Sequence, residues 1–336
     1  MMFSFKKILL LVVVIGGAGA FWLYRGQQAH ILSDKAVYYT VKSGASLSSI
    51  AADLEKKGII ASAFDFKLLA RLKGNKPVQA ADYQFNAGIS IAELYQDLIE
   101  GKSISNERQV TLVEGLTLVQ MADVLAQEGI VVSADAYVQA ATVGTERFND
   151  DFPLLSGRPS GASLEGYLFP ETYRFFPNSE PDAVIRKQLT TFTNQFDEPL
   201  RKAIAASSRT FHDTIILASI VEKEVRSHEE MKTVAGIFAN RLEAGMALQA
   251  DSTVNYITSS GRARSTYEDL EIDSPYNTYK YAGLPKGPIS NPGLNAITAA
   301  AEPMDTPYFY FLTDEAGKVY YGKTLEEHNR NRQKYL

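Results

Sequence analysis

An alternating apolar-polar stretch followed by apolar residues at helical spacing occurs three times between Tyr39 and Val131. YTVKSGASLSSIAADLEKKGII (Tyr39 to Ile60) and VTLVEGLTLVQMADVLAQEGIV (Val110 to Val131) each read as a strand, a glycine turn, a hydroxyl residue followed by leucine, and a helix closed by Gly-Ile. Gly44 matches Gly115, Ser46 matches Thr117, Leu47 matches Leu118, Leu54 matches Leu125 and Gly58 matches Gly129; a shorter copy runs from Asp82 to Lys102. A hydroxyl accepts an orphan N–H at a helix start and a glycine takes the left-handed turn at its end. Capping and packing account for each of these residues, so the repeat implies architecture rather than chemistry. Phe64 to Leu72 adds a second helix before a break at Lys73 to Pro77. Strand, helix, helix and strand from about Tyr38 to Gly101 predict a small domain over residues 38–104.

From residue 107 to 336 the pattern predicts one larger domain. Helices are expected at Ser133 to Ala141, Pro181 to Ser207, Asp213 to Arg226, Met231 to Glu243 and Asn295 to Ala301. Strands are expected at Val110 to Val113 and in a hairpin of Tyr308 to Thr313 with Lys318 to Tyr321, turned by Asp314 to Gly317. Strands and helices without regular alternation predict an α+β fold.

One carboxylate stands out. On a helix over Asp213 to Arg226, Leu217, Ile220 and Val221 cluster on one side, flanked by Ile216 and Val225, and Glu224 falls within that arc. Glu222 points roughly 200° away, on the side of Ser219 and Arg226, and is expected to form a surface i, i+4 pair with Arg226. A carboxyl group among apolar side chains must find donors or keep its proton to higher pH, and a proton kept near neutrality suits general acid catalysis. Two readings are open at this point: a core glutamate satisfied by a neighbouring donor, or a catalytic acid.

Ile8 to Tyr24 is an unbroken uncharged run after Lys6 and Lys7 and before Arg25, near the lower length limit for crossing a bilayer. It predicts a membrane anchor over 8–24, with residues 1–7 in the cytoplasm and 25–37 as linker. The alternative is a signal peptide cleaved near Ala18-Gly19-Ala20, although the aromatic residues from Phe21 to Tyr24 extend the apolar run past that point. Either reading puts the folded part outside the cytoplasmic membrane. The chain has 336 residues, 45% hydrophobic and 22% charged, enough for two or three folded units. A net charge of -5 argues against nucleic-acid binding through phosphate neutralisation. With no cysteine, four dispersed histidines and no HExxH or GxSxG motif, thiol, metal-hydrolase and serine-hydrolase chemistries fall away.

Four segments are rich in hydrogen-bonding and aromatic residues: LEGYLFPETYRF (Leu164 to Phe175), LQADSTVNY (Leu248 to Tyr256), YNTYKYAGLPKGPISNPG (Tyr276 to Gly293) and YFYF (Tyr308 to Phe311). Tyrosines and asparagines on loops suit sugar faces and hydroxyls, whereas glycine and proline there also simply turn corners. Asp251, Glu165 and Glu171 are candidates for a second carboxylate, but none stands out as the partner an ordinary glycosidase requires.

ASIVEKE (Ala218 to Glu224), FANRLEAGMALQADSTVNY (Phe238 to Tyr256), the Tyr276 to Gly293 segment and KTLEEHN (Lys323 to Asn329) resemble the endolytic murein transglycosylases of the MltG (YceG-like) family, over nearly the whole chain. The resemblance implies a LysM-like small domain and a membrane-anchored enzyme with its catalytic domain in the periplasm or outside. It implies non-hydrolytic cleavage of the N-acetylmuramic acid to N-acetylglucosamine bond within peptidoglycan strands, leaving a 1,6-anhydromuramic end and terminating nascent chains. The family's catalytic glutamate is the second of its EKE triplet, here Glu224. Val319 lies near a strand position where relatives often carry histidine, so no catalytic histidine is assigned. Asp251, Asn277 and Asn291 are candidates for substrate or intermediate contacts, and Tyr173 and Tyr276 for stacking. No cofactor or metal is expected. Peptidoglycan strands, the membrane and glycan polymerases are the expected partners. The small domain reads equally as a pure spacer, and two other readings of the whole chain stay open: a non-catalytic, membrane-anchored peptidoglycan-binding scaffold and a hydrolytic muramidase.

Overall fold

The computed structural model describes residues 36–104, 107–259 and 265–336. The expected anchor over 8–24, the segment 1–7 and most of the linker lie outside the described residues. Among those described, no helix is long and apolar enough to cross a membrane. The chain divides into two compact units, one running to Arg108 and the other from Gln109.

In the first unit β1 (Val37–Thr40) pairs antiparallel with β2 (Asp82–Phe85), and α1 (Leu47–Lys56) and α2 (Ala63–Leu72) lie between them in sequence. A third helix, α3 (Ile91–Glu100), follows. Each helix starts where a serine hydroxyl accepts a backbone N–H three residues on: Ser46 from Ser49, Ser62 from Asp65 and Ser90 from Glu93. The helices bury one face each around Leu54, Phe66, Leu94 and Tyr95, with Phe66 and Tyr95 edge to face at 5.7 Å.

The second unit holds β3 (Arg108–Thr111), α4 (Leu118–Gln127), α5 (Ala134–Thr142), β4 (Thr172–Phe175), α6 (Pro181–Asn194), α7 (Glu198–Ala206), α8 (Phe211–Glu224), α9 (His228–Glu243), α10 (Asp251–Thr258), α11 (Tyr267–Leu270), α12 (Leu294–Ala301), β5 (Tyr310–Thr313), β6 (Val319–Gly322) and α13 (Leu325–Tyr335). Strand β3 pairs with β4 and β5 with β6, so thirteen helices and three two-stranded sheets make the α+β architecture among the described residues.

Two expectations change here, and one element was not expected. The helix expected over Pro181 to Ser207 is two helices, because Asp197 caps a new start with Pro199 in its first turn. LQADSTVNY is not a loop; Asp251 to Thr258 is helical. The C-terminal residues from Leu325 form a helix capped by Thr324.

Helix α8 is the centre of the unit, packed against α12, α9, α10 and α7. Every residue from Thr214 to Val221 is buried, so it has no solvent face. The helix stops at Glu224: Val225 is extended, with φ -146° and ψ 164°, and Ser227 caps α9 in a reciprocal box with Glu230.

Candidate active site

The C-terminal end of α8 opens on a cleft of about 1480 Å³ whose walls include α4, α9, α10, the Tyr276 loop, β5 and α13. Glu224 lies on its wall, partly buried. Ser252, in the first turn of α10, donates from Oγ to Glu224 Oε1 at 2.7 Å. Burial pushes the Glu224 carboxyl up to about 7; the Ser252 hydroxyl pulls it down, the charge of Asp251 pushes it up, and the Arg241 guanidinium opposes that. Its place at a helix C-terminus, where carbonyl dipoles point outward, works in the same direction as burial.

Glu222 does not sit on a solvated face, as its spacing from Glu224 suggested. It accepts the N–H of Gly293 at 3.0 Å instead of pairing with Arg226, and burial pushes it up to about 7. Thr214 to Val221 are buried on every side, and at Glu222 the Gly293 loop covers part of the face that the 200° rotation reaches.

The segment before α10 is held by the Tyr276 loop. Gln249 donates its N–H to Thr278 O at 3.1 Å, Ala250 donates to Thr278 Oγ1 at 3.1 Å, and the Thr253 and Thr278 hydroxyls are 2.9 Å apart. Gln249 lines the cleft in a left-handed conformation, φ 51°, an uncommon state for a non-glycine residue that the two flanking contacts hold in place. These bonds set the first turn of α10, and with it Ser252 and Asp251. Asp251 lines the cleft and accepts the Tyr279 hydroxyl at Oδ1, 2.9 Å away.

A second glutamate reaches the cleft from another direction. Glu165 is 4% exposed, and both its oxygens accept the N–H of Leu118, at 2.9 and 3.1 Å. Asn291 Nδ2 lies 2.9 Å from Oε1 and the Tyr256 hydroxyl 3.3 Å from Oε2. Burial pushes Glu165 up to about 8 against these hydrogen bonds. Gly166 makes the approach feasible: it has φ 85°, and a Cβ there would come within 2.6 Å of Pro288.

The expected binding residues divide. Asp251 and Tyr276 line the cleft with Glu224, and Tyr276 packs at 5.1 Å against Tyr256. Asn277 does not face it: Nδ2 donates to the carbonyls of Leu270 and Ile272 at 2.9 Å each, and Oδ1 accepts the Tyr279 N–H. Asn291 is fully buried, with Oδ1 accepting from Gly166 and Leu168 and Nδ2 donating to Leu116 O and Glu165. Tyr173 is a core residue whose hydroxyl donates to Phe169 O at 2.7 Å. Glu171 is exposed beside β4. These side chains spend their polar atoms on the loops that carry them.

Ser252, Tyr256, Tyr279, Arg241 and His328 line the cleft without having been singled out in the sequence. Arg241 had a signal: with Val234, Ala235 and Phe238 it shares the buried stripe of α9. Val319 opens β6 and packs on the core, whereas His328 on α13 lines the cleft. Among the described residues no group of three or more acidic or histidine side chains is placed to hold a metal ion.

Comparison with known proteins shows which family the chain resembles. The model of the YceG-like family matches residues 39–334. A Bacillus subtilis protein named endolytic murein transglycosylase is 34% identical over 96% of this chain and 91% of its own length. A Streptococcus pneumoniae protein of the same name is 32% identical over 89% of this chain, which spans 58% of that longer relative. The crystal structure of a yceG-like protein from Listeria monocytogenes superposes with a TM-score of 0.62 at 31% identity, covering 89% of this chain and 99% of that one.

Proposed function

Because the chain belongs to the YceG-like family, we propose that its cleft breaks the glycosidic bond between N-acetylmuramic acid and N-acetylglucosamine inside peptidoglycan strands, with Glu224 as the catalytic acid and base. The enzyme is a peptidoglycan lytic transglycosylase, as its relatives' names indicate. The observation that carries the assignment of Glu224 is a carboxyl group on a cleft wall, pushed up to about 7 and oriented by Ser252. Such a group holds its proton on about half the molecules at neutral pH and both donates and accepts it readily.

Glu224 gives its proton to the glycosidic oxygen as the bond to C1 breaks, and an oxocarbenium-like or N-acetyl-assisted species forms. The muramic 6-hydroxyl then closes on C1, and the Glu224 carboxylate takes the hydroxyl proton. The products are a free 4-hydroxyl end and a 1,6-anhydromuramic end; no water is consumed. Intramolecular attack removes the need for a second carboxylate to activate water. Glu165 is poorly suited to that second role, since both its oxygens already accept hydrogen bonds and it keeps its own proton. Asp251 acts on the electrostatics of Glu224, and Tyr276 offers a ring to a sugar face.

The same reading includes an anchor over residues 8–24, a catalytic unit outside the cytoplasmic membrane, a LysM-like role for the first unit in holding glycan, and termination of chains emerging from glycan polymerases. Mass spectrometry of products from purified peptidoglycan tests the chemistry. Anhydro ends are expected from the wild type and none from Glu224→Gln; reducing ends would mean hydrolysis, and unchanged chain lengths would mean a scaffold.

A further inference from the structure

Apart from Lys223, which lines the cleft beside Glu224, the charged side chains of the cleft are segregated. Its acids, Asp123, Glu165, Glu224 and Asp251, belong to α4, α8, α10 and the Leu164 segment. The wall formed by α9, β5 and α13 contributes Arg241, His328 and Arg332 and no acidic side chain. The α13 acids are turned elsewhere: neither Glu326 nor Glu327 lines the cleft, and Glu327 accepts the Lys323 N–H at 2.7 Å.

Arg241 is the unusual member. It is 6% exposed, and no carboxylate among the described residues lies within ion-pair distance of it. Its Nε donates to Phe309 O at 2.6 Å and Nη1 to Leu248 O at 2.7 Å, leaving Nη2 without an acceptor among the described residues. The guanidinium lies over the Tyr310 ring at 5.1 Å, and His328 stacks on the same ring at 5.4 Å and 30°. His328 has Arg241 and Arg332 as its charged neighbours, both cationic, and with burial they hold it below the ordinary histidine range. Glu224 acts on Arg241 from beyond ion-pair distance, so the buried guanidinium keeps a desolvation cost that an anion brought into contact with it relieves.

We propose that Arg241, His328 and Arg332, with Tyr310 as the floor, form an anion subsite that takes a carboxylate of the peptide carried on the muramic lactyl group. This rests on the peptidoglycan reading above and deepens it: the sugar backbone itself is uncharged, so the peptide supplies the complementary carboxylates. Arg332, exposed at the rim, meets the charge first, and the fixed Nη2 of Arg241 receives it in the drier interior. The subsite then favours peptide-bearing over carboxylate-free strands.

The test is equilibrium binding to the full chain carrying Glu224→Gln, which removes turnover from the measurement. The ligand is a soluble peptide-bearing muramyl oligosaccharide, with its carboxylates either free or converted to amides. The free form is expected to bind about tenfold more tightly, with Arg332→Gln bringing the ratio near one and His328→Asn reducing it partly. Equal affinities in the parent, or a ratio that survives both substitutions, would overturn the subsite. Displacement of both forms alike by inorganic pyrophosphate would mark a diphosphate site and overturn it as well. Wild-type turnover of the same oligosaccharide is read separately, so failure of the Glu224 chemistry and failure of the subsite give different results.

Discussion

The turn from Gly44 to Leu47 in the first unit and the turn from Gly115 to Leu118 in the second are built alike. Both pass through a left-handed glycine, φ 77° and 76°, into a helix whose hydroxyl cap accepts an N–H three residues on. In the first unit the turn is exposed, and a Cβ added at Gly44 would meet nothing within 4 Å. In the second, Gly115 N–H donates to Asn291 O at 2.9 Å, Lys223 Nζ donates to Gly115 O at 3.1 Å, and Leu118 N–H donates to Glu165. One local motif is a solvated corner; the other anchors a buried carboxyl group beside a cleft. The motif supplies backbone donors, and what packs against them decides whether they meet water or a functional group.

The sharpest contrast between the units comes from matched glutamate substitutions. Glu224→Gln is expected to lower turnover about 10²- to 10⁴-fold with little change in thermal stability. Glu93→Gln, in the α3 capping box, should leave turnover at the wild-type level. Comparable losses from both, measured as release of anhydro products, would end the division.

Glu165 tests the anchored turn itself. Glu165→Ala leaves Leu118 N–H without its acceptor and Asn291 Nδ2 with Leu116 O alone, and is expected to cost about 2–4 kcal/mol. Glu165→Gln resembles the protonated acid and should stay within about 1 kcal/mol of wild type near neutrality. The sign with pH follows: a folded-state value near 8, above the ordinary carboxyl range, means the folded protein binds the extra proton. This group's contribution therefore declines as pH rises from the ordinary carboxyl range through 8, and the Gln variant should flatten that decline in urea unfolding curves.

Activity should follow a related curve. With Glu224 near 7 as the acid, kcat/KM is expected to be level below that pH and to fall about tenfold per unit above it. Asp251→Asn removes a charge that raises Glu224, moving the falling limb to lower pH; Ser252→Ala removes a donor that lowers it, moving the limb higher. Shifts in the same direction from both would contradict this account of the electrostatics.

The smallest effect returns to the paired caps. Ser46→Ala and Thr117→Ala should each cost about 1 kcal/mol of stability, but only Thr117→Ala should also reduce turnover, because Leu118 follows it directly. Urea denaturation and product release on the same preparations separate the two quantities.

The caps, the glycine turns and the apolar stripes were legible along the chain because each is a short-range requirement, met within a few residues. The break at Asp197 and Pro199 is equally local, yet one helix was expected through it, because the apolar spacing continues on both sides and a capping aspartate is also an ordinary surface residue. The spacing of Glu222 from Glu224 misled, since helical periodicity distinguishes faces only when one of them reaches water, and α8 is enclosed. Asn277 and Asn291 looked like sugar-binding residues because a loop asparagine has the same composition whether its amide faces a cleft or its own backbone.

What the sequence determined by itself was therefore many of the elements, the resemblance to a family and a glutamate at the end of ASIVEKE, all carried by neighbours in the chain. The tertiary structure alone decided that Ser252 bonds that glutamate and Asp251 acts on it by charge, that Glu165 is held by Leu118 and Asn291, and that Arg241 lies buried with no carboxylate at ion-pair distance among the described residues. The physical reason is desolvation: a side chain's charge state and free hydrogen-bonding capacity depend on what excludes water from it, and here those groups come from segments 28 to 126 residues away in the chain.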